Sequence, residues 1–191
     1  MNQPKIKKSV RKSLFILLSL VFLNSFSGCE DDIVTSDLTI TWAMDNLSPG
    51  TNCVFLAQVI SEPNELKLAV DLNSITNGLT HGVFFDLVFR DEVFTYSGFS
   101  EGAVLETAGP VVYQVALDPQ DSGRLVVGVT LLESAAVENA KGILLTFRFT
   151  ALRSGSSSFS FENAKIMTPE NGGTLPVTGV SWYGGYATVI Q

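Results

Sequence analysis

The chain has 191 residues, 46% of them hydrophobic and 16% charged, with 12 Lys and Arg against 19 Asp and Glu and a formal net charge of −7. Lys5, Lys7, Lys8, Arg11 and Lys12 all fall within residues 1–28, which hold no acid, so the remainder carries 7 bases against 19 acids, a net charge of −12. Such a surface repels nucleic-acid phosphates and anionic lipid headgroups and argues against nucleic-acid binding.

The five bases precede an apolar run, Leu14–Leu23, from which Asn-Ser-Phe-Ser-Gly leads to Cys29. Basic, apolar and small-residue regions in that order form a secretory signal peptide. A run this short cannot span a bilayer, which takes about 20 apolar residues. A cysteine directly after Ser27-Gly28 reads as a bacterial lipobox, with Phe26 where Leu is usual. Residues 1–28 are therefore expected to be a lipoprotein signal and Cys29 the lipid-bearing new N-terminus, with plain secretion as the alternative. Residues 29–52, opening on Glu30-Asp31-Asp32 and closing on Ser48-Pro49-Gly50-Thr51-Asn52, read as an acidic, polar tether. Its acids suit either a lipoprotein sorting signal or a solvated spacer. The alternation of Leu38, Ile40 and Trp42 admits a short extra strand. With Cys29 acylated, only Cys53 remains and no intradomain disulfide forms, so Cys53 is expected to be a small core residue.

The globular part, residues 53–191, is almost entirely of period two. Leu66, Leu68, Val70 and Leu72 alternate with Lys67, Ala69, Asp71 and Asn73; Val83, Phe85, Leu87 and Phe89 with Phe84, Asp86, Val88 and Arg90; Ile143, Leu145, Phe147 and Phe149 with Leu144, Thr146, Arg148 and Thr150. Such alternation places one set inside and the other outside a strand. Further runs cover Val111–Leu117, Leu125–Leu131, Phe159–Ile166 and Val180–Ile190. Turn formers punctuate them at Asn77-Gly78, Asp118–Gly123, Arg153-Ser154-Gly155 and Asn171-Gly172-Gly173. Only Ser134–Lys141 admits one or two helical turns. The pattern predicts an all-β fold, a two-sheet β-sandwich of about nine strands.

Groups able to do chemistry are sparse. The single histidine, His81, sits in a turn beside Gly82 with no Ser or Cys nucleophile next to it, and reads as structural. Asp91-Glu92, Glu101 and Glu106 could supply the carboxylate pair of a glycosidase, but a sandwich rich in acids offers such pairs by chance. Asp118-x-x-Asp121-x-Gly123 lacks the ligand count of a calcium loop, and there is neither a phosphate-cradling glycine loop nor zinc spacing. The expectation is a protein with no catalytic residues, metal or cofactor.

Several segments carry a resemblance. Phe84–Leu105 gives a strand, the step Phe89-Arg90-Asp91-Glu92-Val93-Phe94, a second strand and a Gly-led turn. Lys141–Phe149 gives a Gly-x-hydrophobic strand ending Phe-x-Phe, followed by the turn Ala151-Leu152-Arg153-Ser154-Gly155-Ser156-Ser157. Val180–Ile190 closes with Gly184-Gly185. In order and spacing, Val54 to Ile190 resembles the cohesin domains, with Arg90-Asp91 in place of the family's Asp-Pro. The resemblance implies a jelly roll whose first and last strands lie side by side. It also implies that its eighth, third, sixth and fifth strands form a flat face docking a calcium-loaded dockerin. The Asn-x-Asp pair that cohesins of the first type use on the third strand aligns here with Gly82 and Phe84.

On the corresponding strands the outward positions are unusually apolar: Phe84, Asp86 and Val88; Val112, Gln114 and Ala116; Val126, Gly128 and Thr130. Phe84, Asp86, Val88, Val112, Gln114, Val126 and Thr130 are the candidate protein-binding face, since interfaces set apolar anchors among a few polar groups. The expected function is a surface-anchored docking module for an extracellular, dockerin-like partner in polysaccharide degradation or envelope assembly. It would sit by its lipid at the outer membrane or cell surface. A carbohydrate-binding module is the alternative, with Trp182 and Tyr186 stacking on a polysaccharide; a structural envelope protein is a third.

Overall fold

Every regular element of the computed structural model, which describes residues 38–59, 62–132, 135–170 and 173–191, is a β-strand. They are β1 (Thr39–Met44), β2 (Cys53–Val59), β3 (Glu65–Ile75), β4 (Gly82–Val88), β5 (Phe94–Glu101), β6 (Val111–Asp118), β7 (Asp121–Leu131), β8 (Ala140–Ala151), β9 (Gly155–Glu170), β10 (Gly173–Pro176), β11 (Ser181–Tyr183) and β12 (Gly185–Ile190). One sheet runs β1-β12-β9-β4-β7-β6, with β10 added to β9; the other runs β11-β2-β3-β8-β5.

The sandwich thus has the expected architecture with twelve strands rather than nine. Two of the additions are the short β1 and β10. The third arises because the Val180–Ile190 run breaks at Gly184: β11 pairs in parallel with β2, and β12 pairs with β9 and β1 in the opposite sheet. The first and last strands do lie side by side. β1 takes up Ile40 and Trp42 in its alternation, with Leu38 directly before it, so part of the segment read as tether (29–52) is sheet, and the sandwich begins before residue 53.

Period two decides the core wherever the ladder is regular. In β4, Val83, Phe85 and Leu87 are buried while Phe84, Asp86 and Val88 are not. Phe85 meets Phe147 of the facing sheet edge to face, and Phe89, Phe94, Phe149 and Phe159 form a connected aromatic cluster between the layers. Burial of Cys53 is complete, and its thiol donates to the Gly50 carbonyl at 2.8 Å.

Two expectations need correction. In β8, Val70 of β3 lies opposite Leu145 and Asp71 opposite Ile143, which leaves Leu144 as the extra residue of a β-bulge. The bulge inverts the pattern: Leu144 is buried and Ile143 is 42% exposed, opposite to strict alternation. The helical turns expected over Ser134–Lys141 are not formed by its described residues. Val137 instead exchanges two backbone hydrogen bonds with Thr80, each 2.8 Å, and Asn139 takes a left-handed φ of 51° before β8 begins.

Candidate docking surface

The sheet order brings β9, β4, β7 and β6 together as neighbours, which is the set of strands the cohesin resemblance assigns to its docking face. Antiparallel register arranges their outward residues in rows. Lys165, Phe84, Gly128 and Gln114 form one row; Glu162, Asp86, Val126 and Ala116 the next; Met167, Gly82, Thr130 and Val112 lie on the other side of the first. Val88 lies opposite Arg124. All seven candidate residues of the face therefore share one surface. Val126 and Val112 are the open apolar points, 47% and 43% exposed.

Phe84 does not stand up from this surface. A Cβ at Gly128 would lie 3.2 Å from its ring, and one at Gly82 would lie 3.0 Å from it, so the ring rests flat on two glycines. The Lys165 ammonium sits 5.8 Å from the ring centroid, a cation–π pair. The two glycines are what turn an outward Phe into a half-buried, flat apolar centre.

Beside it lies a charged cluster that sequence reasoning missed. Asp86 accepts from Arg124 Nη1 at 3.0 Å and from Asn163 Nδ2 at 2.6 Å. Arg124 also reaches Glu162 through Nη2 at 2.8 Å and Asp121 through Nε at 3.5 Å. The hydrogen bond to Glu162, with that to Asp86, pushes the already high pKa of the guanidinium further up. Three carboxylates around one cation leave this end of the face acidic. Asn163 reaches Asp86 because β9 bulges there: Phe84 faces Lys165 but Asp86 faces Glu162, and Asn163 takes a left-handed φ of 49°. The trace of this bulge in the sequence is a change of parity: the inward positions are the odd-numbered Phe159 and Phe161 before it and the even-numbered Ile166 after it.

The two glycan-stacking candidates are not brought together. Trp182 is in β11 and packs inward on Phe85 and Phe161, at ring distances of 6.1 and 5.2 Å. Tyr186 is in β12 of the opposite sheet and is 57% exposed. The chain crossing at Gly184 separates them, so they form no common strip. His81 is held through Nδ1 by the Ala135 carbonyl at 2.7 Å, as part of the loop pairing around Thr80. Among the described residues no group of three His, Cys, Asp or Glu is placed to hold a metal ion. A groove of about 590 Å³ lies at the β5–β8 end of the other sheet, lined by Glu101, Val104, Lys141 and Ile143; of the carboxylates singled out from the sequence only Glu101 borders it, without Asp91, Glu92 or Glu106. Cys29 lies outside the described residues.

Two packed antiparallel-dominated sheets in this strand order make a jelly-roll sandwich, and the particular version is the cohesin fold. No protein-family model and no curated protein matches the chain, but solved structures do. It is similar to the sixth cohesin of scaffoldin B from Acetivibrio cellulolyticus, solved in complex with a dockerin, at 16% identity and TM-score 0.53 over 71% of this chain and 97% of that one. It is similar to a type II cohesin domain from the cellulosome of the same organism, at 16% and 0.53, over 74% and 95%. A non-cellulosomal cohesin from the archaeon Archaeoglobus fulgidus matches at 12% and 0.51, over 71% and 89%. At these identities the likeness is one of fold. The chain is a cohesin-like module in architecture.

Proposed function

We propose that this protein is a non-enzymatic docking module, held by a lipid on Cys29 at the outer membrane or cell surface, that binds an extracellular protein through the outward face of β9, β4, β7 and β6. The observation that carries the reading is the face itself. A flat Phe84, with exposed Val126 diagonal to it in β7 and exposed Val112 beyond in β6, and bordered by the Asp86–Arg124–Glu162 cluster, has the make-up of an interface centre with a polar rim. The scaffoldin B cohesin, similar in fold, was solved bound to a dockerin, which supports a dockerin-like partner. Because Gly82 and Phe84 stand where first-type cohesins carry Asn-x-Asp, the contact here is more apolar than theirs.

Phe84→Asp tests the face. Interfaces concentrate affinity in a few buried anchors, so a charge at the apolar centre should lower retention of the partner from the organism's extracellular fraction by at least tenfold, a change of about 1.4 kcal/mol. Tyr186→Ala, remote in β12, should leave retention unchanged. A dockerin-like partner should also be released by a calcium chelator. Loss with Tyr186→Ala but not with Phe84→Asp would overturn the assignment. Anchoring is tested separately: the wild-type chain should partition into detergent with the mass of an acylated cysteine, and Cys29→Ala should stay unprocessed or become soluble. Identical fractionation of the two would remove the lipid from the proposal.

A further inference from the structure

β6 ends its sheet, and among the described residues no strand pairs with its outer edge. Which backbone groups face outward follows from the register. Leu132 N–H donates to the Pro110 carbonyl at 2.9 Å, and the same register sets Val112 opposite Thr130, Gln114 opposite Gly128 and Ala116 opposite Val126. Antiparallel hydrogen bonding alternates along a strand. Val112, Gln114 and Ala116 therefore bond to β7, while the N–H and C=O groups of Val111, Tyr113, Val115 and Leu117 point away from the sheet. The Leu131 N–H donating to the His81 carbonyl agrees, because it assigns the odd-numbered residues of β7 to β4.

Such a row of unpaired groups is a template for another strand unless something blunts it. The other edges are blunted. β5 is bulged at Ser97-Gly98, where Gly98 has φ 132°, and it ends on Glu101. β11 has three residues. β1 is met at Leu38 by Asn64, whose backbone N–H donates to the Leu38 carbonyl and whose Oδ1 accepts from the Leu38 N–H at 2.8 Å. β6 has none of these devices: from Val111 to Leu117 it carries no charge, Pro or Gly, and its ladder with β7 is regular up to Leu117.

We infer that β6 pairs antiparallel with β6 of a second copy of this chain, about a two-fold axis at Gln114. The register is fixed by the free groups. Setting Val111 opposite Leu117 and Tyr113 opposite Val115 of the other copy engages all four residues of each strand, for about eight hydrogen bonds. Gln114 then faces its own counterpart, amide to amide, and Val112 faces Ala116. Asp118, the first charge, falls opposite Pro110, so no like charges are opposed. The edge itself fits this occupant: its seven residues are uncharged and self-complementary about Gln114, so two acidic chains meet along it without opposing like charges. An isologous contact of this kind closes as a dimer and joins the two β9-β4-β7-β6 faces edge to edge.

Cysteine trapping on the full chain tests the register. Directly opposed residues of a non-hydrogen-bonded antiparallel pair have Cα atoms about 4.5 Å apart, within disulfide range. Gln114→Cys should give a covalent dimer on non-reducing electrophoresis; Val112→Cys, whose counterpart is Ala116, should not. Gln114→Lys, which opposes two ammonium groups at the axis, should halve the particle mass in detergent-corrected sedimentation with no change in melting temperature. Wild-type chain that sediments as a monomer at high micromolar concentration, or a dimer unaffected by Gln114→Lys, would overturn the proposal. Equal trapping at positions 112 and 114 would do the same.

Discussion

Phe147→Ala is expected to destabilise the sandwich by about 3–5 kcal/mol, the range for removing a large aromatic from a well-packed core. Phe147 is fully buried in the central part of β8 and its ring contacts Phe85 of the facing sheet, Tyr96 of β5 and Phe149 of its own strand. The rings around it are themselves fixed by further neighbours, so the cavity cannot close by a simple shift. Against a total stability of about 5–15 kcal/mol, the loss is a large fraction. In a domain of this size it should lower the melting temperature by on the order of 10 °C. Thr146 and Arg148, its neighbours on the outward face of the strand, should tolerate Ala with changes near the noise of the measurement. A melt of Phe147→Ala within a degree or two of wild type would mean that the inward register of β8 is wrong.

That register was legible in the sequence because from Leu145 to Phe149 the ladder with β3 is uninterrupted. Directly before Leu145 it was not, and the reason is physical. A bulge adds one residue to one strand of a pair, and whether Leu144 or Ile143 turns inward depends on what β3 places opposite them. The same limit hid the charged cluster. Asp86 was recognisable as an outward polar residue of β4, but Arg124 lies 38 positions away and Asn163 lies 77 away. Only the sheet order and the β9 bulge make them neighbours. The failure of the Trp182–Tyr186 strip has a third cause. Alternation assigns faces within one sheet, and it cannot show that a strand leaves one sheet for the other at Gly184. By contrast, the outward face of β4, β6 and β7 needed only parity in three regular strands.

The crossing at Gly184 also sets the second large effect. Gly184→Ala should abolish folding or cost about 3 kcal/mol or more, at or beyond the upper end for inserting a methyl into a packed site. The added Cβ would fall on the backbone carbonyl oxygen of Phe159 in β9, with Asp45 Oδ2 at 3.2 Å on another side. Neither β9 nor the crossing chain can yield easily, since the Gly184 carbonyl accepts from Asp45 N–H at 3.1 Å and Gly185 is paired with Phe159 in the β12–β9 ladder. Gly128→Ala makes the informative contrast. There a Cβ meets only the Phe84 ring, 3.2 Å away, a side chain that can lift from the sheet. Its melting temperature should stay near that of wild type, because the loss of a contact under Phe84 is set against the entropy gained on replacing Gly in a strand. Partner retention should nevertheless fall, because the raised ring no longer offers a flat centre beside Val126. The pair separates the two uses of glycine in this fold, and melting curves with retention assays on both variants decide it. A Gly184→Ala variant melting like wild type would show that the crossing has slack; a Gly128→Ala variant that keeps full retention would show that the flatness of Phe84 is irrelevant to docking.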